Sequence, residues 1–288
     1  MTRKILVKAK TKSLGDLIGA SPYFELLRIN SQTEVYVSCQ HHELFQQAYP
    51  KIHFLPHGFL NTSLFDQHYE LEFKFDVPLQ QGFCQQLGLE YTEIRPHLPA
   101  SSAPSPLADP YVCLGVQSTA QCKYWNFPGG WQEISLRLRD SGLIPVCIDQ
   151  HPIFGIEGNF NSVPGACLDR TGLSLPEVIT FLTHCQLFLG LSSGLAWVAH
   201  ALQKHVVMVA GATHDWCEFT TDITRISNKS VCHGCFNEPD LYPFDPGDWM
   251  WCPHLGATPR RFECSKTITP DRVWEEISKL IKEKNVIR

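Results

Sequence analysis

No run of lysine and arginine occurs anywhere in this 288-residue chain, and its 24 basic residues are outnumbered by 29 acidic ones for a net charge of −5. A polyphosphate backbone would find no electrostatic footprint here, so nucleic acid is not expected as a partner, although a single nucleotide remains open. No apolar stretch reaches the roughly eighteen residues that a membrane span requires, so none is expected. The N-terminal Met1-Thr2-Arg3-Lys4-Ile5-Leu6-Val7 enters a strand-like run directly. It lacks the apolar segment and small-residue cleavage site of a secretory signal, and a cytoplasmic location is expected. There is no G-x-G-x-x-G fingerprint and no phosphate-binding G-x-x-x-x-G-K-[ST] loop. Nor is there a D-x-D pair to hold a divalent cation on a nucleotide sugar. A site handling diphosphate would have to use lysine and helix ends instead.

Cysteine, by contrast, is plentiful at twelve residues. In a reducing compartment these read as buried thiols and a spaced metal cluster, not as a disulfide framework.

The chain alternates strand-like and helix-like segments. Strands are expected near residues 4–8, 34–38, 52–55 and 70–75. A turn at Ser13-Leu14-Gly15-Asp16 could open a helix whose buried face is Leu17, Ala20, Phe24 and Leu27, with Pro22 predicting a kink or a late start. Residues 96–110 hold five prolines and three serines, a composition that propagates neither helix nor sheet. They divide the chain into a Rossmann-like domain over residues 1–100, a linker over 101–110 and a second Rossmann-like domain over 111–288. The second half restarts the alternation, with strands near 111–116, 143–149, 187–191 and 205–210. Helices are expected over 130–141, from the Ser174-x-x-Glu177 capping box to about residue 185, and over 193–203. A last helix over 270–284 carries the stripe Val273, Ile277, Leu280 and Ile281. Two consecutive βαβ arrays form an α/β protein, and ligands of such folds sit at the carboxyl ends of the strands.

Four features carry candidate chemistry. Cys232-His233-Gly234-Cys235 is a C-x2-C, followed by Cys252 and Cys264 within a finger over 232–264. Four thiolates suit Zn²⁺ or iron, and a metal would order a segment that has no periodic core. Four unrelated buried thiols are the plainer reading. Ser192-Ser193-Gly194 follows a strand at a helix start, where backbone N–H groups attract phosphate, or where a serine simply caps the helix. Asp16, at the equivalent turn of the first domain, is a general base or a capping carboxylate. The loop Gln117-Ser118-Thr119-Ala120-Gln121-Cys122-Lys123-Tyr124-Trp125 offers Lys123 to a diphosphate and Trp125 to a base or sugar, unless these are a surface lysine and a core tryptophan.

Together these motifs resemble a known family. Ser13-Leu14-Gly15-Asp16 is similar to the (S/M)-x-G-D turn of the ADP-heptose glycosyltransferases of family 9. Residues 115–126 resemble their lysine loop, and residues 189–197 resemble their pyrophosphate turn. The cysteine finger, with Phe244-Asp245-Pro246-Gly247-Asp248-Trp249 inside it, resembles the iron-binding finger of the bacterial autotransporter heptosyltransferases. The resemblance spans residues 4–280. It implies a GT-B fold, two Rossmann-like domains facing a cleft, with a four-cysteine metal finger in the second. It also implies inverting transfer of heptose from an ADP-heptose donor to serine hydroxyls on a protein acceptor such as an autotransporter adhesin. Asp16 would be the base and Lys123 the support of the leaving ADP. Ser118, Thr119, Trp125, Ser192, Ser193, Gly194 and Leu195 would bind the donor, and Asp149 would reach the ribose. Cys232, Cys235, Cys252 and Cys264 would hold iron as Fe³⁺, with zinc as the alternative, and a homo-oligomer would form. Family members carry a further N-terminal acceptor-side domain, whereas here the first strand starts at Lys4. Two rival readings are a lipopolysaccharide-type heptosyltransferase and a non-catalytic, metal-stapled binding or assembly module.

Overall fold

The computed structural model describes residues 3–59, 61–156 and 159–283. The first half runs β1 (Lys4–Ala9), α1 (Leu14–Ser31), β2 (Glu34–Cys39), α2 (His42–Ala48), β3 (His53–Pro56), β4 (Gln67–Leu71) and α3 (Leu79–Gln86). Its four strands are parallel in the order β3-β2-β1-β4. The strand order therefore reverses beside β1, and the carboxyl end of β1 is a switch point where ligands gather.

Pro22 does not break α1, which is continuous across it. Proline has no N–H for the carbonyl of Ile18 four residues back. The Ser21 hydroxyl lies 2.8 Å from that carbonyl and donates to it, supplying a donor that the proline lacks. The strand expected over 70–75 is displaced to Gln67–Leu71. Pairing stops where its partner does, at Ala9 opposite Leu71, and the Glu72 N–H turns instead to the side chain of Gln86.

The second half contains β5 (Tyr111–Gly115), α4 (Gly130–Asp140), β6 (Ile144–Cys147), β7 (Ile153–Ile156), β8 (Asn159–Ser162), β9 (Leu168–Asp169), α5 (Leu175–His184), β10 (Phe188–Gly190), α6 (Gly194–Ala201), β11 (Val206–Val209), β12 (Ile223–Ile226), α7 (Glu263–Lys266) and α8 (Pro270–Glu283). Six of its strands form a parallel sheet ordered β12-β11-β10-β5-β6-β9, and β7 with β8 makes a separate antiparallel hairpin. The switch point lies between β5 and β10, where Gly115 pairs with Gly190. The Ser174–Glu177 box forms at the start of α5, with the Glu177 carboxylate 2.8 Å from the Ser174 N–H. The final helix buries Val273, Ile277, Leu280 and Ile281 as its spacing requires, and its expected end at residue 284 lies outside the described residues.

One apolar cluster runs through both halves, joining Val7, Leu17 and Phe24 to Trp197, Phe188 and Tyr111. A second fills the far face of the larger sheet beneath α4 and α8. Between the two sheets, residues 89–110 have no helix or strand. They are strapped along the second half by bonds from Leu98 N to Ala201 O, Ser101 N to Thr183 Oγ1 and Arg95 Nε to His200 O. No helix among the described residues is long and apolar enough to cross a membrane.

Candidate functional site

The halves meet most closely where α1 crosses α6. A Cβ added to Gly15 would lie 3.0 Å from Trp197 Cδ1 and 3.1 Å from Gly194 Cα, so a larger residue would press the crossing apart by a few tenths of an ångström. Both helices therefore aim their N-termini at the same space, a cavity of about 660 Å³ lined by the carboxyl ends of both sheets. Neither N-cap, Ser13 or Ser193, makes a side-chain cap bond. The first-turn N–H groups and the positive dipole ends are thus left for an anion.

Asp16 sits in the first turn of α1, half-buried on the cavity wall. Thr11 donates to its Oδ2 at 2.6 Å. Burial raises its carboxyl above the ordinary range. The Thr11 bond, the charge of Lys123 and the Ser13 hydroxyl oppose that rise without cancelling it. A carboxylate so placed is a stronger base than one in water.

Lys123 enters the cavity from the opposite half. It ends a 3₁₀ turn, Gln121–Lys123, whose first N–H donates to the carbonyl of Trp249 at 3.2 Å. Its ammonium lies 4.1 Å from the ring centre of Phe236. Ser118 and Thr119 from the same loop also line the cavity, as do Ser192, Ser193, Gly194 and Leu195. The Ser193 Oγ is buried and has no hydrogen-bond partner among the described residues.

Asp149, at the end of β6, lies on the cavity floor and is 3% exposed. Its Oδ2 accepts from the Val116 N–H at 2.7 Å and from Cys147 Sγ at 3.3 Å. Burial pushes this carboxyl up to about 7, with the Val116, Cys147 and Gln117 contacts acting against it.

Trp125 is not where a stacking platform would be. Its indole is 2% exposed, packs edge-on to Trp131 at 5.1 Å and donates from Nε1 to Ile268 O at 2.8 Å. It does not line the cavity and serves as a core residue of the second half.

The four finger cysteines also depart from expectation. Among the described residues no three cysteine, histidine, aspartate or glutamate side chains are grouped so as to hold a metal ion. The thiols do share one neighbourhood, since Cys235 feels those of Cys264, Cys252 and Cys232, and also that of Cys122 from the lysine loop. Burial raises Cys232 and Cys235 and pushes Cys264 up to about 12. The sulfurs share a neighbourhood without forming a metal-holding group, and Cys232 and Cys252 are half-buried.

Two residues of the site, Thr11 and Phe236, give no local signal in the sequence, and Glu218 follows a strand without a motif of its own. Thr11 holds Asp16 from outside the turn motif. Phe236 underlies Lys123 from 113 positions along the chain. Glu218 lines the cavity, accepts from the Ser192 hydroxyl and is paired with the buried guanidinium of Arg225. The Glu218 bond also bears on Gly190-Leu191-Ser192-Ser193-Gly194, which spells G-x-S-x-G at a strand-to-helix turn. The Ser192 Oγ is bound to a carboxylate and no histidine bonds to it among the described residues, so the turn is not a nucleophile elbow.

Residues 61–243 match the model of glycosyltransferase family 9 (heptosyltransferase). The autotransporter heptosyltransferase TibC of Escherichia coli O78:H11 is 33% identical over 96% of this chain and 71% of its own length. The autotransporter heptosyltransferase Aah of Escherichia coli is 34% identical over 94% of this chain and 72% of its length. The crystal structure of TibC, an iron-containing dodecameric glycosyltransferase, superposes with a TM-score of 0.92 over 98% of this chain and 77% of that one, and TibC has also been solved with ADP-D-beta-D-heptose. The E. coli ADP-heptose lipopolysaccharide heptosyltransferase II shares the fold, with a TM-score of 0.67 at 14% identity over 98% of this chain and 99% of that one. With its cavity built between two Rossmann-like sheets, this chain belongs to glycosyltransferase family 9, among the autotransporter heptosyltransferases.

Proposed function

We propose that this chain transfers heptose from ADP-heptose to a serine hydroxyl on a protein acceptor of the autotransporter adhesin class, with inversion at the anomeric carbon. The observation that carries the reading is the meeting of Asp16 and Lys123, from opposite halves, in one cavity between two uncapped helix N-termini. The acceptor oxygen attacks the anomeric carbon while its proton passes to the Asp16 carboxylate. The bond from that carbon to the β-phosphate oxygen breaks, and ADP departs. The charge developing on the diphosphate falls on Lys123 and on the N–H groups of Ser193, Gly194 and Leu195. Ser118 and Thr119 flank the phosphates, and Asp149 on the floor takes the ribose hydroxyls. The relation to TibC, which binds ADP-D-beta-D-heptose, supports this donor.

Co-expression of candidate adhesins with and without this chain, read by intact mass, tests the proposal. A heptose-sized addition that depends on the chain is the expected result. Transfer to lipid acceptors with none to protein would favour the lipopolysaccharide reading, and loss of both transfer and ADP binding would favour a binding module.

The finger, in this reading, takes iron as Fe³⁺, with zinc as the alternative. Four sulfurs converging on one neighbourhood, and the iron-containing relative TibC, support it. Bound metal would staple the finger, whose own backbone bonds are short-range turns such as Asn237 N to Gly234 O and Gly256 N to Cys252 O. Metal analysis of the purified protein, with its visible spectrum, is expected to find close to one ion per chain, reduced by Cys232→Ser. A metal-free protein with normal transfer would overturn it. A homo-oligomer belongs to the same reading, since TibC is dodecameric, and light scattering on the purified chain would measure it.

A further inference from the structure

The cysteine finger does more than fold on itself. Its Phe236, next to Cys235, is 6% exposed, yet its ring reaches the cavity and lies face-on beneath the Lys123 ammonium at 4.1 Å. Among the described residues Lys123 makes no ion pair within 4 Å; the ring of Phe236 lies against its ammonium, and Asp16 acts on it only through space. An aromatic face attracts a cation through its quadrupole but accepts no strong hydrogen bond. It can therefore hold the ammonium in place while leaving its three N–H donors for a diphosphate, which a carboxylate partner would have occupied.

Phe236 is in turn fixed from several sides. Its N–H donates to Ala212 O at 2.9 Å. Its ring meets Phe244 of the finger at 4.9 Å and Phe75 of the first half at 5.1 Å. Asn237, the next residue, donates to the carbonyl of Phe75 at 2.8 Å. The finger also grips the backbone of the lysine turn, through the bond from Gln121 N to Trp249 O, and the Cys122 thiol lies among the finger thiols.

We infer that Phe236 is a positioning residue for Lys123, through which the cysteine finger sets the geometry of the diphosphate site. The inference rests on the role of Lys123 given above, but its test is kept separate from heptosyl transfer. A double-mutant cycle on ADP affinity, measured by calorimetry, isolates the coupling between ring and ammonium. F236L removes the aromatic face at similar volume, and ADP affinity is expected to fall about three- to thirtyfold. In the K123A background the same substitution is expected to change affinity by less than about twofold, because the partner of the ring is already gone. F236Y restores the face and most of the affinity. Equal losses from F236L with and without Lys123, or no rescue by F236Y, would overturn the inference as a plain packing effect. Should F236L misfold, F236M carries the same arm of the cycle. Failure of the wild-type chain to transfer heptose would sink the proposed reaction while leaving this ADP-binding cycle to decide its own question.

Discussion

At the scale of single residues, two carboxyls line the cavity, one half-buried and one buried. Asp16 keeps one oxygen bound to Thr11 and faces Lys123 across the gap. Asp16→Asn keeps shape but cannot take a proton. It is expected to lower transfer by roughly 10²–10⁴-fold, with ADP affinity nearly unchanged. Steady-state kinetics beside calorimetry would check this, and retained turnover would remove Asp16 as the base. Burial raises the Asp149 carboxyl to about 7 from 3.8. A group whose folded value is raised holds its proton longer in the native state than in the unfolded chain. Its contribution to stability is therefore complete below about pH 4 and is lost as pH rises through 7. Asp149→Asn, whose amide oxygen still accepts from Val116, is expected to flatten that loss, so its advantage over wild type in urea unfolding should be greater at pH 8 than at pH 5. That Asp16, Lys123 and Ser193 would share one cavity was legible in the sequence because each sits in a loop or turn that follows a strand, within a few positions of a recognisable motif. The fate of Trp125 was not, since an aromatic after a strand reads alike whether it faces a ligand or a core, and only the distant carbonyl of Ile268 decides between them.

At the scale of elements, α1 illustrates how local repair and close packing override propensity. Ser21→Ala leaves the Ile18 carbonyl buried without a donor, because Pro22 has none to offer. The expected cost is about 1–2 kcal/mol, readable in denaturant unfolding. Gly15→Ala tests the opposite balance. Alanine gains about 1 kcal/mol of helix propensity, but its Cβ meets the backbone of Gly194. The crossing must widen by a few tenths of an ångström, so net destabilisation and a raised donor KM are expected, and an unchanged KM would show that the crossing tolerates the widening. Most parallel strands announced themselves as short apolar runs, as did the amphipathic α8. Strand β12, the hairpin β7–β8 and α3 did not. β12 and the hairpin carry exposed or polar faces, and α3 is held at its start by a contact remote in sequence, from the Leu79 N–H to Cys217 O. The cysteine spacing gave the members of the finger correctly as neighbours but not their cage geometry, which the spacing of residues cannot fix.

At the scale of the whole molecule, the halves share one apolar cluster from Val7 to Phe219, and the strap from Arg95 to Ala103 ties them again on the outside, bonding Tyr49 of the first half and His200 and His184 of the second. Two domains with separate cores would melt separately. Here a single calorimetric transition is expected, with matching van't Hoff and measured enthalpies, and two resolved peaks would show that the shared cluster does not couple the halves. The Gly15–Gly194 contact has a mechanical corollary. A lever moves least beside its fulcrum, and this fulcrum is next to Asp16 on one side and Ser193 on the other. Any opening of the halves about this contact would move the outer lips of the cavity most and the neighbouring Asp16 and Ser193 least.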